Sequence, residues 1–265
     1  YSIFYCFNAS LYNWNGVGAL SADKYIGLKN WDRLLHDRDF WKASLNNIKM
    51  IFISIFGQLP IGLLLALFLD MYGKKANVFK IVWFLPYLMS SSTIGILFAY
   101  LLNNYNGPIA GMLDTFFHVQ MPSLLGNPKF AFYMVGIAIV WRFVPFYMIY
   151  YLAGLSSIAP ELYEAAVIDG ATRTQYTFKC AIPIIMPIIK NAVVLQLIGS
   201  LKYFDLIYVM TQGASNTEMM ATYMYKQTFQ STRMGYGSAI AAAMFLIITT
   251  LALFTVKILN RKEDD

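Results

Sequence analysis

Long apolar runs separated by short polar segments dominate the chain. A helix satisfies its own backbone N–H and C=O groups, and about twenty apolar residues in helical form cross a hydrocarbon core of about 30 Å. Five runs meet that length, at 43–69, 79–102, 130–153, 184–210 and 235–259. A sixth apolar and aromatic stretch, at about 1–15, is too short to span, and the chain opens with Tyr1 rather than Met. It is expected to be the truncated remainder of a first spanning helix. The competing reading, a signal peptide, lacks a basic region ahead of the run and a small-residue cleavage site after it. The pattern predicts an all-α integral membrane protein, a single domain over 1–265 with about six transmembrane helices.

Composition sharpens this. The chain is 58% hydrophobic, 17% aromatic and only 13% charged, with a mean hydropathy of +0.52, too little charge to cover a soluble domain of 265 residues. Its net charge of +6 does not point to nucleic acid, because the Lys and Arg residues are scattered over short segments that flank the apolar runs. Membrane lipid is the expected surrounding. Cys6 and Cys180 fall near opposite faces of the bilayer in this topology, so neither a disulfide nor a Cys/His metal site is expected. His36 and His118 have no metal-ligand spacing either.

If the tail after Lys257 is cytoplasmic, alternation puts 70–78 and 154–183 inside, and 16–42, 103–129 and 211–234 outside. The inner flanks then hold Lys74, Lys75, Lys80, Arg173, Lys179, Lys190, Lys257, Arg261 and Lys262. The outer ones hold Lys24, Lys29, Arg33, Arg38, Lys42, Lys129, Lys226 and Arg233. The raw counts nearly balance, and the higher density on the shorter inner segments favours this orientation. Trp14, Trp31 and Trp41 suit an interfacial belt on either side.

The segment 154–183 reads GLSSIAPELYEAAVIDGATRTQYTFKCAIP. Pro160 suits the first position of a helix, Glu161 and Glu164 place negative charge in its first turns, and Gly170 suits the position just past its end. One short helix is expected over 160–169, and a second from about Ala171 to Cys180 before Pro183 breaks it. Ala165, Ala166, Gly170 and Ala171 leave a small-residue surface that another protein's backbone can approach, with Glu164 and Asp169 at its rim.

EAA followed by three residues, a glycine and, thirteen residues on, a proline resembles the EAA loop of bacterial binding-protein-dependent ABC importers. The resemblance extends to YIGLKNWDRLLHDRDFWKASLNN at 25–47, FDLIYVMTQGASNTE at 204–218 and YKQTFQSTRMGYGSAIA at 225–241, which are similar to segments of the carbohydrate branch, the maltose-type and glycerol-phosphate-type permeases. Cys180 and Ile182 depart from the usual apolar branched residue and leucine, and Ala214–Ser215 replaces the usual Gly-Pro. The resemblance implies the type I ABC importer transmembrane fold, in the bacterial cytoplasmic (inner) membrane, with 154–183 as a cytoplasmic coupling loop seated on an ATPase. It assigns that docking to Glu164, Ala165, Ala166, Asp169, Gly170 and Ala171.

Polarity inside the spans marks a candidate path. Arg142 falls near the middle of 130–153, where an arginine costs at least about 2.5–3.5 kcal/mol on insertion scales, and such a residue rarely faces lipid. With Phe143 and Phe146 it mixes hydrogen-bond donors with aromatic faces, the mixture that suits a sugar. Gln196, Ser200 and Tyr203 recur at i, i+4 and i+7 as a polar stripe in 184–210. The competing reading pairs Arg142 with Asp205 or a partner chain's carboxylate as a structural element. Lys202 and Asp205 are expected to pair as i, i+3 neighbours, and Phe84, Tyr87, Tyr150 and Tyr151 to serve packing.

No P-loop sequence, nucleophile–base pair or metal cluster occurs, so no catalytic residue or cofactor is expected in this chain. The resemblance implies two ATPase subunits that bind ATP and Mg, a second homologous permease and an extracytoplasmic sugar-binding protein. An ion-coupled secondary transporter stays open as an alternative, although it gives no reason for the EAA segment. So does a permease for glycerol-phosphate or another non-sugar solute; aromatic richness favours oligosaccharide.

Overall fold

The computed structural model describes residues 2–260, apart from the side chains of Lys74, Lys75 and Asn260. Lys74 and Lys75 as flanking charges, together with Arg261 and Lys262, therefore lie outside the described residues. The described chain is helical, with no strand beyond a single Tyr12–Tyr25 bridge. In order, the helices are α1 (Ser2–Ala9), α2 (Lys29–His36), α3 (Arg38–Tyr72), α4 (Asn77–Leu88), α5 (Ser91–Leu101), α6 (Pro108–Phe117), α7 (Ala131–Ser156), α8 (Pro160–Ile168), α9 (Arg173–Ile184), α10 (Met186–Ser200), α11 (Asp205–Thr211), α12 (Met220–Tyr225) and α13 (Met234–Asn260).

Among the described residues, α3, α7 and α13 are each long and apolar enough to cross a membrane. The pairs α4–α5 and α9–α10 qualify only when each is taken as one bent span. Two runs that read as continuous are thus divided. The 79–102 run breaks at Met89, whose backbone is extended at φ −72° and ψ 149°. A run of hydroxyl residues, Ser90 to Thr93, follows, and such side chains offer the backbone local alternatives to the helical ladder. The 184–210 run holds α10, ends at Ser200, and restarts at Asp205, whose carboxylate sits in the first turn of α11 where the helix dipole favours it. The expected Lys202–Asp205 pair does not form, because helical i, i+3 geometry is lost across 201–204.

The chain forms two compact units. Among the described residues, one comprises 52–90 and 139–197 and the other 2–51, 91–138 and 198–260, with boundaries inside α3, α7 and α10 and between α4 and α5. The core of the 52–90/139–197 unit gathers Leu59 and Ala66 of α3, Tyr147, Tyr151 and Leu155 of α7, Tyr176 and Ala181 of α9, and Ala192 of α10. Close helix approach is set by Gly62. A Cβ there would stand 2.8 Å from the Tyr147 Cβ and 3.2 Å from the Met148 backbone nitrogen. Other α3 side chains, Phe52, Phe56, Leu64 and Phe68, are exposed. A patch of that kind is at home against lipid or a partner helix, not water.

In the other unit, α1 lies on α13 through a Phe7–Phe245 edge contact, and α5 packs on α11 with Gly95 against Val209. Asp37 caps α3, its Oδ1 accepting the Asp39 and Phe40 N–H groups at 2.9 and 3.2 Å, while its Oδ2 accepts the hydroxyls of Tyr223 and Tyr236. Burial pushes the Asp37 carboxyl up, but these hydrogen bonds together outweigh it and hold the group below its usual range. Arg33 lies 4.1 Å over the Tyr236 ring. Asn46 and Asn47 brace the irregular segment after α11: Asn46 donates to the carbonyls of Asn216 and Glu218, and Asn47 donates to Leu201 and accepts from the Met220 N–H. In that segment Ser215 stands at φ +51°, a value that a proline ring, fixed near about −65°, could not adopt.

Candidate functional site

The segment after α7 builds a protruding knob on the 52–90/139–197 unit. Ala159 is extended, the conformation a following proline favours, and Pro160 opens α8 with Glu161 in its first turn. The helix closes by a full Schellman motif. Gly170 adopts φ +78°, its N–H donates to the Val167 carbonyl at 3.0 Å, and the Ala171 N–H donates to the Ala166 carbonyl at 2.9 Å. The next helix starts at Arg173, two residues later than expected. Thr172 caps it by accepting the Gln175 N–H, and the Gln175 side chain accepts the Thr172 N–H in return. Pro183 does not end this helix. A π turn over Thr177–Ala181 carries the chain past it, with the Ile182 N–H reaching back to the Thr177 carbonyl, and the break falls at Ile185, where α9 and α10 meet at 63°.

Of the residues expected to dock, Glu164, Ala165, Asp169 and Gly170 are exposed, whereas Ala166 and Ala171 are half-buried and Ala166 packs toward the core of the unit. Apolar bulk joins them on the surface. Ile168 is 85% exposed, and Leu162, Val167 and Phe178 are exposed as well. Nothing lies within 4 Å of where a Gly170 Cβ would stand, so the glycine is required by backbone conformation and not by crowding within this chain.

Beneath the knob lies a group that the sequence pattern did not single out. The Arg173 guanidinium donates to the Asp70 carboxylate of α3 at 2.6 Å, and both side chains are about one-third exposed. The guanidinium carbon also lies 4.5 Å over the Tyr163 ring and 5.8 Å over that of Tyr176, and those rings meet edge to face at 4.9 Å. The only hint in the sequence is Asp70 itself, a carboxylate closing a long apolar run. A cavity of about 300 Å³ opens beside the pair, lined by Asp70, Leu155, Pro160, Tyr163, Glu164 and Arg173 among others.

On α7, Arg142 is half-buried. It makes a long 3.4 Å contact to the Met89 carbonyl, lies 4.9 Å from the Phe143 ring centre, and leaves its buried Nε without a hydrogen-bond partner. No carboxylate pairs with it among the described residues. The rings of Phe143 and Phe146 stand 6.2 and 5.4 Å from Tyr87, and Phe146 stacks on Tyr150 at 6.2 Å, so guanidinium and aromatic faces share one locality. Gln196 and Ser200 lie one helical turn apart on α10 and are both buried. Tyr203 follows the helix end and is half-buried, so the three do not form one continuous helical stripe.

Residues 58–264 match the family model described as binding-protein-dependent transport system inner membrane component. The chain belongs to this family. The permease is 32% identical to the probable ABC transporter permease YurN of Bacillus subtilis, over 97% of this chain and 89% of that one. It is 29% identical to the trehalose/maltose transport system permease MalF of Thermococcus litoralis, over 91% and 81%. Among solved structures, it resembles a chain of the bacterial alginate ABC transporter in complex with an alginate pentasaccharide-bound periplasmic protein. That match has a TM-score of 0.78 and 28% identity, covering 90% of this permease and 83% of that chain. The permease therefore has the ABC importer transmembrane fold and is an inner-membrane component of a transport system.

Proposed function

We propose that this permease forms half of the translocation path for an oligosaccharide handed over by an extracytoplasmic binding protein, and that the complex is driven by two ATPase subunits, one of them seated on the 160–171 knob. The observation that carries the reading is the knob itself. Apolar side chains such as Ile168 and the small residues Ala165 and Gly170 are held out on a rigidly terminated helix, rimmed by Glu164 and Asp169. A surface of this kind is costly in water and suited to a partner's groove.

A second permease of similar fold supplies the other half of the path. Arg142, Phe143 and Phe146 contact the sugar from α7, hydroxyls taking the free guanidinium donor and C–H faces stacking on the rings. Tyr203 adds a hydroxyl, and Gln196 and Ser200 become accessible as the helices rearrange during alternating access. The unpartnered Arg142 Nε supports a ligand role over a structural ion pair within the chain. Carbohydrate is favoured because the matched permease of Thermococcus litoralis is named for trehalose/maltose and the matched transporter structure for alginate.

The test is ATP hydrolysis by the purified complex in proteoliposomes with its binding protein, given maltotriose, trehalose, alginate pentasaccharide, glycerol-3-phosphate and an amino-acid mixture in turn. Stimulation by a carbohydrate is expected. Stimulation confined to glycerol-3-phosphate or amino acids contradicts the carbohydrate assignment, and a complex without an ATPase contradicts the whole.

A further inference from the structure

We infer that the Asp70–Arg173 ion pair, wrapped by Tyr163 and Tyr176, is the strut that transmits movement of the knob to the spanning helix α3. The inference rests on the docking reading above and names the residues that make docking productive.

Little else connects the knob to its unit. Helix α8 shows almost no buried surface of its own: none of its residues is fully buried, and most are exposed. Its inner contacts are Tyr163 and Ala166 against the core, and Tyr163 is held from the other side by the Arg173 guanidinium at 4.5 Å. Arg173 stands at the first turn of α9, fixed there by the reciprocal Thr172–Gln175 cap, so its side chain starts from a defined backbone. Its charged tip reaches Asp70, 103 residues earlier in the chain and two residues before α3 ends.

One guanidinium thus touches three elements of the same unit: α8 through Tyr163, its own helix through Tyr176, and α3 through Asp70. A half-buried charge-assisted hydrogen bond of 2.6 Å is directional, whereas apolar packing lets helices slide. When a partner pushes α8, the displacement reaches α3 through this contact. α3 has 35 residues, a length of about 52 Å, longer than a bilayer's hydrocarbon core. Force delivered at its end moves a span. Arg173 and Asp70 are therefore positioning residues for coupling and contact neither nucleotide nor sugar.

The test uses the whole complex purified from membranes, with Cys6 and Cys180 replaced by Ser and a reporter Leu67→Cys on α3, a half-buried position outside the sugar path. Trapping the ATPase with ATP and vanadate drives the complex to its closed-nucleotide state, and the change in maleimide labelling of the reporter reads helix movement without needing the sugar. Asp70→Asn and Arg173→Gln are expected to keep full ATPase retention and nucleotide trapping while shrinking that change by about tenfold, within the range of coupling between distant sites. The swap Asp70→Arg with Arg173→Asp is expected to restore it in large part.

Unaltered labelling change in both single variants overturns the strut. So does loss of the ATPase in them, which would make the pair a builder of the docking surface, or loss of the permease from the membrane that the swap does not repair. Ile168→Asp is run in parallel as a knob variant. If it keeps the ATPase, the docking reading fails and takes the strut with it; if it sheds the ATPase while the Asp70 variant moves normally, only the strut fails.

Discussion

Tyr223 donates its hydroxyl to the Asp37 carboxylate at 2.6 Å, and Tyr236 donates to the same oxygen. The carboxylate that caps α3 therefore also ties α12 and α13 to it. Because its pKa is depressed in the folded protein, the stability that Asp37 contributes is present above its unfolded value and lost as pH falls through the folded one. The tyrosine hydroxyl of Tyr223 shifts the other way, upward, through burial first and its hydrogen bond to Asp37 second.

The first prediction follows. In detergent, acidification from pH 7 to below about 4 should lower the melting temperature of the wild-type permease more than that of Asp37→Asn, which keeps a capping oxygen but has no charge to lose. Equal losses in the two proteins would show that the ionised Asp37 network adds nothing.

Glycines give a second prediction with an internal control. Gly62→Ala must displace the Tyr147 side chain and the α7 backbone near Met148, and a cost of about 1–3 kcal/mol is expected. Gly111 in α6 faces open space, so Gly111→Ala should be neutral or stabilising by up to about 1 kcal/mol. Thermal unfolding of the two variants in one detergent checks both signs, and a destabilised Gly111→Ala alongside a stable Gly62→Ala would refute the packing described for α3 against α7.

The path assignment yields a third. Phe146→Ala and Tyr203→Ala should each reduce uptake of the sugar that stimulates the complex about tenfold or more, with membrane abundance and basal ATP hydrolysis unchanged. Arg142→Ala separates two roles: preserved assembly with lost uptake supports substrate contact, and failure to assemble with the second permease assigns its free Nε to a partner's carboxylate. Unchanged uptake in the Phe146 and Tyr203 variants removes these faces from the path.

The spanning helices and the knob were legible because their signals are local. Apolar length marks α3, α7 and α13, and Pro160 and Gly170 bracket α8 by backbone chemistry that acts within a few residues. The breaks at Met89 and after Ser200 were not, since an uninterrupted apolar run fixes the medium a segment occupies and not the straightness of its backbone. Burial of Gln196 and Ser200 was equally hidden, because a polar stripe in a span looks the same whether it faces a path or a neighbouring helix. The Asp70–Arg173 pair joins residues 103 positions apart, and single-sequence periodicity holds no information at that range.

Docking of an ATPase on the 160–171 knob is the centre of this account, and its most direct test is ATPase retention and substrate-stimulated hydrolysis in Gly170→Val and Glu164→Lys. A β-branched residue at φ +78° unwinds the Schellman end of α8, and a lysine reverses the charge at the rim, yet neither touches the cores that fold the two units. Both variants should accumulate in the membrane at wild-type levels and pair with the second permease, while the ATPase either dissociates or hydrolyses ATP without transport. Wild-type retention, stimulation and uptake in both would contradict the account.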